Sequence, residues 1–592
     1  MFFATRVAGS NTYAHFGPTS VVVGPIRTTI APFALRTSAL GALANDARLD
    51  ACSSSAQSRG RSVASGPAAL GRASGRARSV SVATSSSRAT RTSFARALDS
   101  TRAARSASAC APRVARVVAP ARADARAASR DGADAGSESI RVRYDVVRAR
   151  ATAALRRVLD DGADASAVLR KALRPGTARV TNDERAAIAR ATLGATAWRL
   201  RLEAELASAT RHGTREARAC AERAGDRAEK LILMYWSGDR GSGGRGVVPS
   251  AEDARAMYGD GAADLRIAAR EENVRWSSDD AIAVGQKTAL PRPLVDALIR
   301  EYGREEALAF GAAINAPGPV TCRANGALAR GGADEVAAML ARKGIRTEKT
   351  KYGLAAPLAF VLPDGPPKNG GIFGCDVWRR GYFEVMDEGS QCIANAVGAR
   401  EGERILDACA GNGGKTLAMA ANMNGHGEIC AFDIDKRRLS HLKANAARAR
   451  VDALVTTTES LDELASESFD AILVDAPCSS VGALRRTPSL RHSYDDPREL
   501  AKVQAEILDG VARLLKPGGR LVYATCSVLS IENQDVAEAF ERKHDDFAPW
   551  PFEDSVLTSP AVELRSHERL FLPHVHGTDG FFIARFVRRT AD

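Results

Sequence analysis

The stretch from Phe469 to Gly482, FDAILVDAPCSSVG, constrains this chain more than any other. Ala471-Ile472-Leu473-Val474 is apolar at consecutive positions, so the strand it predicts must be covered on both faces. Such a strand belongs in the middle of a parallel sheet flanked by helices. Asp475 and Cys478 follow at once, where the strand leaves the sheet. Open α/β sheets bind their ligands at that carboxyl edge. Pro477 stiffens the exit and removes an amide donor. Cys526, in LVYATCSV, ends a second apolar run in the same way. Strand-end thiols and a carboxylate are the constellation that a functional reading has to use.

The surrounding sequence keeps the same rhythm. Apolar runs at Arg404–Ala408, Glu428–Asp433, Ala471–Asp475 and Arg520–Thr525 predict strands. Leu417–Met423, Arg437–Arg448, Arg498–Leu515 and Asn533–Lys543 predict the helices that alternate with them. This alternation gives the class α/β, a doubly wound Rossmann-like domain over residues 381–592. Lys516-Pro517-Gly518-Gly519 reads as a turn feeding the fourth strand, and Phe571 with Gly580–Val587 as an antiparallel hairpin at the edge. Upstream, Val142 to about Leu206 is helical, with Val147, Ala151, Leu155 and Val158/Leu159 on one face. Leu173-Arg174-Pro175-Gly176 is a stop, Thr181-Asn182-Asp183-Glu184 a cap, and Ala217–Leu233 a further helix. Together they predict an all-α domain over 138–280, folded from near Glu138, with a flexible segment at Gly238–Gly246. A small α/β subdomain is expected over 285–380, with a helix at Leu294–Tyr302.

The formal charge of +13 does not by itself point to nucleic acid. Residues 1–130 hold 19 Arg, no Lys and four acids, a net of +15, so the remainder sums to 13 − 15 = −2. That Ala/Arg/Ser-rich, acid-poor leader (1–135) predicts an organellar transit peptide with a disordered spacer, chloroplast before mitochondrion. A basic tail that binds nucleic acid is the alternative. No run of about 18 apolar residues predicts a membrane span. The ten cysteines lack paired CxxC spacing, which argues against a zinc site or disulfide framework and for reduced thiols.

DACAGNGGKT, residues 407–416, follows the first strand and precedes a helix. Its glycines, Gly411, Gly413 and Gly414, let backbone approach a ligand, and the helix start offers free amides. The GxxxxGK[ST] spacing of phosphate-cradling loops is absent. Asp433 closes the second strand 20 residues after Gly413, where an acid commonly takes ribose hydroxyls. A nucleoside cofactor fits this pair. A strand that exits through Asp407 fits S-adenosylmethionine. A nucleoside phosphate, or a turn made for packing alone, remains open at this point.

Four blocks carry a resemblance: DACAGNGGKT (407–416), DAPCSSVGALRR (475–486), LVYATCSVLSIEN (521–533) and Pro573 with DGFFIARF (579–586). With Arg323-Ala324-Asn325 and the segment from Gly381 to Gln391, they make the chain similar to the RsmB/Sun branch of RNA cytosine-C5 methyltransferases, relatives of the NSUN proteins. The likeness spans about 140–588 and implies a class I methyltransferase domain. An all-α NusB-like RNA-binding domain would precede it, behind the disordered leader. Where the family usually has Ala-Pro, this chain has Gly411-Asn412.

The resemblance also implies roles. Cys526 is the nucleophile that adds to cytosine C6. Asp475 contacts the N3/N4 edge and also counts among the cofactor-binding residues, and Cys478 assists loss of the C5 proton and release of the adduct. Asp407 and the backbone of Cys409, Ala410, Gly411, Asn412, Gly413, Gly414 and Lys415 hold the methionine part of S-adenosylmethionine. Asp433 takes the ribose, and Glu459 is either an adenine-side contact or solvated surface. Lys415 faces the cofactor carboxylate, the reacting base or solvent. Arg485, Arg486 and Arg491 either grip RNA phosphates or form an ordinary charged loop. The expected partner is RNA with an unstacked cytosine, with no metal and no membrane, and the protein is expected to be a monomer. Organellar small-subunit rRNA is the first substrate. Transfer RNA, large-subunit rRNA or a catalytically silent ribosome-assembly role are the alternatives.

Overall fold

A computed structural model describes residues 142–590, except 175–179, 239–247, 352–355, 368–370, 493, 495 and 553–561. The leader, the start near Glu138, Pro175-Gly176 and most of Gly238–Gly246 therefore lie outside the described residues. Strands β1 (Val320–Ala324), β2 (Glu348–Lys349), β3 (Ala359–Leu362) and β4 (Phe383–Val385) make a small antiparallel sheet ordered β2-β3-β1-β4. The large sheet contains β5 (Arg404–Asp407), β6 (Glu428–Ala431), β7 (Val455–Thr457), β8 (Phe469–Asp475) and β9 (Leu515–Thr525). It continues through β10 (Phe547–Pro549), β11 (Val562–Glu563), β12 (Glu568–Phe571) and β13 (Phe581–Arg588).

The order in the large sheet is β11-β12-β13-β9-β8-β5-β6-β7, with β10 beside β13. Strands β5 to β9 run parallel, and β13 returns antiparallel against β9. The chain moves outward from β5 through β6 and β7, then crosses back to β8 on the other side of β5. That reversal is a topological switch point, where a doubly wound sheet opens a crevice beyond its carboxyl ends.

Alternation along the central strands decides which layer each side chain joins. Leu406, Ile472, Val474, Leu521 and Tyr523 enter the core on one face; Ile405, Ala471, Leu473, Val522 and Ala524 enter it on the other. Ala471 to Val474 are all 0% exposed, as an apolar run in a central strand requires. Cutting one large side chain there, such as Leu473→Ala, costs about 2–5 kcal/mol.

Several expectations shift. Lys516-Pro517-Gly518-Gly519 is not a turn before the strand but a bulge within β9. Leu515 pairs with Phe469 and Arg520 with Ala471, so residues 516–519 bulge opposite Asp470. The preceding helix, Pro497–Ala512, stops earlier than expected. The helix expected at Ala217–Leu233 is two, Arg215–Arg223 and Arg227–Ser237, because Ala224 is extended and Asp226 caps the second by accepting from Glu229 N. The Thr181/Glu184 capping box forms as read. Helices Ala251–Tyr258 and Ala262–Ala268 join the same α-helical core through Tyr258 and Leu265. Helices Asp280–Thr288, Arg292–Tyr302 and Arg304–Asn315 pack on the large sheet instead, through Val284, Leu294 and Phe310. Composition shows that a helix is amphipathic but not which core its apolar face meets.

Candidate active site

β5 delivers Asp407 to the carboxyl edge. Its Oδ2 accepts from Thr416 Oγ1 at 2.7 Å, while Oδ1 is buried with no partner. Burial pushes this carboxyl up to about 7. The chain then turns through Gly411 (φ 58°) and Gly413 (φ 91°). A Cβ at Gly413 would stand 2.1 Å from Leu442 Cδ1, so the left-handed backbone and the close helix both demand glycine. Gly414 opens the helix Gly414–Asn422 and has free space where a side chain would be. Cys409 and Ala410 form the first limb of the turn, and Ala410 N donates to Phe432 O at 2.8 Å. Asp433, just past β6, accepts from Gly411 N at 2.9 Å and Asp435 N at 2.7 Å, which ties the turn to the second strand. Burial raises its carboxyl too. Asn412 Oδ1 is a second buried oxygen without a partner. Acidic and amide oxygens lacking donors, at the mouth of a helix N-terminus, fit a ligand that brings an ammonium and hydroxyls.

β8 and β9 lie side by side, with Asp475 paired to Ala524. Lys415 Nζ donates to Asp475 Oδ2 at 2.7 Å, so the turn and the end of β8 meet in an ion pair rather than at a solvated helix end. Just past β9, Cys526 Sγ lies 3.2 Å from Cys478 Sγ and 3.4 Å from Ser480 Oγ, all buried. The loop carrying Cys478 is fastened by backbone: Gly482 N donates to Cys526 O, and Gly580 N to Gly482 O, each at 2.9 Å. A Cβ on Gly482 would sit 2.3 Å from Gly580 O, which explains the glycine in both motifs. A thiol nucleophile with a second thiol at hand for proton movement, beside a carboxylate–ammonium pair, suits covalent catalysis on a polar ring.

The sequence reading missed the groups beneath the thiols. Glu532 is 0% exposed and accepts from Ser479 N (2.8 Å), Ser479 Oγ, Ser527 Oγ (2.6 Å) and Gln504 Nε2 (3.2 Å). Burial raises its carboxyl despite these donors. Its only signal was slight: an acid directly after the mostly apolar stretch Val528 to Ile531, six residues after Cys526. Thr416, which orients Asp407, was also unremarked.

Other expected residues are placed elsewhere. Arg485, 5% exposed, pairs with Asp579 and Asp387, and Arg486 binds the same acids at 2.9 Å each. Arg491, 2% exposed, donates to Ala197 O and Asn315 Oδ1. The phosphate-gripping expectation is corrected for Arg485 and Arg491, whose buried guanidinium groups are engaged by acids and carbonyls; Arg486 pairs with the same acids but is 35% exposed. Glu459 points to solvent, 78% exposed, and pairs with Lys436 at 2.6 Å, whose hydrogen bond lowers its carboxyl. This is the solvated-surface alternative. Glu541, His567 and Glu568 cluster within metal-ligand reach near β12, but the Arg565 guanidinium bridges the two carboxylates. Among the described residues no helix is long and apolar enough to cross a membrane.

Residues 394–587 match the family described as 16S rRNA methyltransferase RsmB/F. The chain is 34% identical over 262 residues to the probable ribosomal RNA small subunit methyltransferase B of Bacillus subtilis, covering 43% of this chain and 57% of that protein. It is 32% identical over 310 residues to the ribosomal RNA small subunit methyltransferase B of Pseudomonas putida, covering 52% of this chain and 68% of that one. The match thus spans little more than half the length of the Bacillus relative. The crystal structure of PH0851 shares the fold, with a TM-score of 0.58 at 22% identity over 74% of this chain and 98% of its own. Sequence match, sheet order and site agree: the chain belongs to the RsmB/F family of 16S rRNA methyltransferases.

Proposed function

We propose that this chain methylates C5 of a cytosine in RNA, with S-adenosylmethionine as methyl donor, and that the RNA is organellar small-subunit rRNA. One observation carries the reading: Cys526 and Cys478 stand 3.2 Å apart on the same sheet rim as the Lys415–Asp475 pair and the glycine turn. The names of the Bacillus and Pseudomonas relatives support small-subunit rRNA.

The chemistry of cytosine explains the thiol. C5 alone is too poor a nucleophile to take a methyl group. Addition of the Cys526 thiolate to C6 makes the ring an enamine, whose C5 carries the electron pair needed. S-adenosylmethionine, when bound, supplies an electrophilic methyl on a sulfonium. Asp407 holds its ammonium, Asp433 its ribose hydroxyls, and the backbone of Cys409 to Lys415 lines the methionine part. Asp475, braced by Lys415, holds the N3/N4 edge of the base. Cys478 assists removal of the C5 proton, after which the Cys526–C6 bond breaks and the thiolate returns. The base must leave its stack to enter, so a loop or single strand is the substrate.

The Arg-rich, acid-poor composition of residues 1–130 supports import, to the chloroplast ahead of the mitochondrion. A fluorescent fusion of those residues that stays in the cytosol rejects it. Bisulfite sequencing of organellar rRNA and tRNA, with and without the protein, tests the reaction. Loss of one 5-methylcytosine in small-subunit rRNA is expected. Loss in tRNA or large-subunit rRNA moves the substrate, and no loss anywhere rejects the reading.

A further inference from the structure

We infer that Glu532 is a positioning residue that sets the separation of the two thiols, an inference that rests on reading Cys526 and Cys478 as the reacting pair. Each cysteine is followed by a serine, Ser479 and Ser527. Both hydroxyls donate to Glu532 Oε2, and Ser479 N donates to Oε1 at 2.8 Å. One carboxylate therefore holds the residue next to each sulfur. The regular ladder between β8 and β9 ends at Asp475 and Ala524. Beyond it only separate backbone bonds, Ala476 N to Ala524 O and Gly482 N to Cys526 O, join the two exits, which leaves the side-chain spacing of the sulfurs to the groups around them.

The clamp is itself held. Gln504, from the helix Pro497–Ala512, donates to Glu532 Oε1 and to Pro477 O (2.9 Å), and accepts from Tyr523 OH at 3.1 Å. Asn533, the next residue, accepts from Thr525 Oγ1 at 2.6 Å and donates to Ser527 O at 3.1 Å. Glu532 accepts from uncharged donors of both loops, in a place where an apolar side chain would cost less desolvation. A buried acid kept there is explained by the geometry it imposes. Misplacing a reacting group by about 1 Å can cost about 10²-fold in rate.

The test uses the full chain and phenylarsine oxide, which captures two neighbouring thiols: the arsenic–oxygen group leaves as water and two As–S bonds form. Cys478→Ala supplies the blank. Wild type is expected to bind one equivalent that a monothiol does not displace. Glu532→Ala should bind at least about tenfold more weakly and lose about 10²-fold in kcat, with KM for RNA and for S-adenosylmethionine unchanged. Glu532→Gln should recover most of both, because its amide oxygen still accepts from Ser479 N and its NH2 can donate to the hydroxyls. Ser479→Ala/Ser527→Ala keeps the backbone contact and should lose about tenfold, and it decides the matter if Glu532→Ala has no cooperative melt. Arsenical capture and kcat at wild-type levels in these variants overturn the inference, as does a loss confined to KM or to thermal stability. Capture needs neither RNA nor cofactor. Wild-type protein that captures the arsenical and leaves every RNA unmethylated thus rejects the reaction reading separately.

Discussion

Arg491→Ala probes how the loop after β8 is seated on the helical region. Arg491 lies in the loop after β8 and is 2% exposed; its Nη1 donates to Ala197 O at 2.7 Å and to Asn315 Oδ1 at 2.6 Å. Burial lowers its guanidinium to about 10, and Nε has no partner, so part of the charge is already uncompensated. Hydrogen bonds from a charged donor contribute about 1.5–3 kcal/mol each. Two of them, less the relief of no longer burying a guanidinium, give a net loss of about 2–4 kcal/mol. At about 1.4 kcal/mol per tenfold, local opening becomes about 10²-fold more frequent. Ser489 and His492 add bonds to Asp164 and Thr196 in the same seam, so opening should remain local. Hydrogen exchange read by mass spectrometry should therefore speed up in 487–492 and in the last turn of Asn182–Ala197, with the 407–416 turn unchanged. Arg491→Met, which keeps volume without the bonds, should behave alike. Unchanged exchange in both segments refutes the reasoning, and wild-type behaviour of the methionine variant assigns the seam to packing.

Other outcomes follow from single residues. Asp407, pushed up to about 7, must ionise to hold an ammonium, so S-adenosylmethionine affinity by calorimetry should weaken about tenfold from pH 8 to pH 6. The folded carboxyl keeps a proton that the unfolded chain has already lost. Ligand-free stability should therefore fall as pH rises from the ordinary carboxylate range to about 7, and a flat melting profile there contradicts it. Gly413→Ala drives a Cβ into Leu442 at 2.1 Å and should cost about 1–3 kcal/mol and most cofactor binding; a normal Kd and melt reject that account. Glu459→Gln should leave cofactor Kd within about twofold, since that side chain is 78% exposed and pairs only modestly with Lys436; a larger change returns it to the site.

The large sheet was legible because its central strands are apolar on both faces while their ends carry chemistry. Asp407, Asp433, Asp475, Cys478 and Cys526 fall where strand-end logic puts them, since a strand's exit is local information. Long-range pairing was not legible. Nothing near Arg485 and Arg486 announces that Asp387 and Asp579, about 100 residues away on either side, will neutralise them. Arg491 looked like surface charge because its partners are a backbone carbonyl and an amide, which leave no charge signature. Glu532 was hidden for the opposite reason. It is an acid whose donors are serines and a glutamine, so no basic residue marks it. The bulge at 516–519 escaped because Pro-Gly-Gly spells a turn, and only the register with Asp470 reveals a strand interrupted in place.

The covalent step is tested most directly by trapping it. RNA carrying 5-fluorocytosine is incubated with the protein and S-adenosylmethionine; fluorine at C5 cannot leave as a proton does, so the Cys526–C6 bond has no route to break. A denaturant-stable protein–RNA adduct is predicted with wild type, with its linkage mapped to Cys526, and none with Cys526→Ala. Cys478→Ala should accumulate the same adduct even on unmodified RNA. Absence of any adduct with wild type, or one that survives Cys526→Ala, contradicts the account.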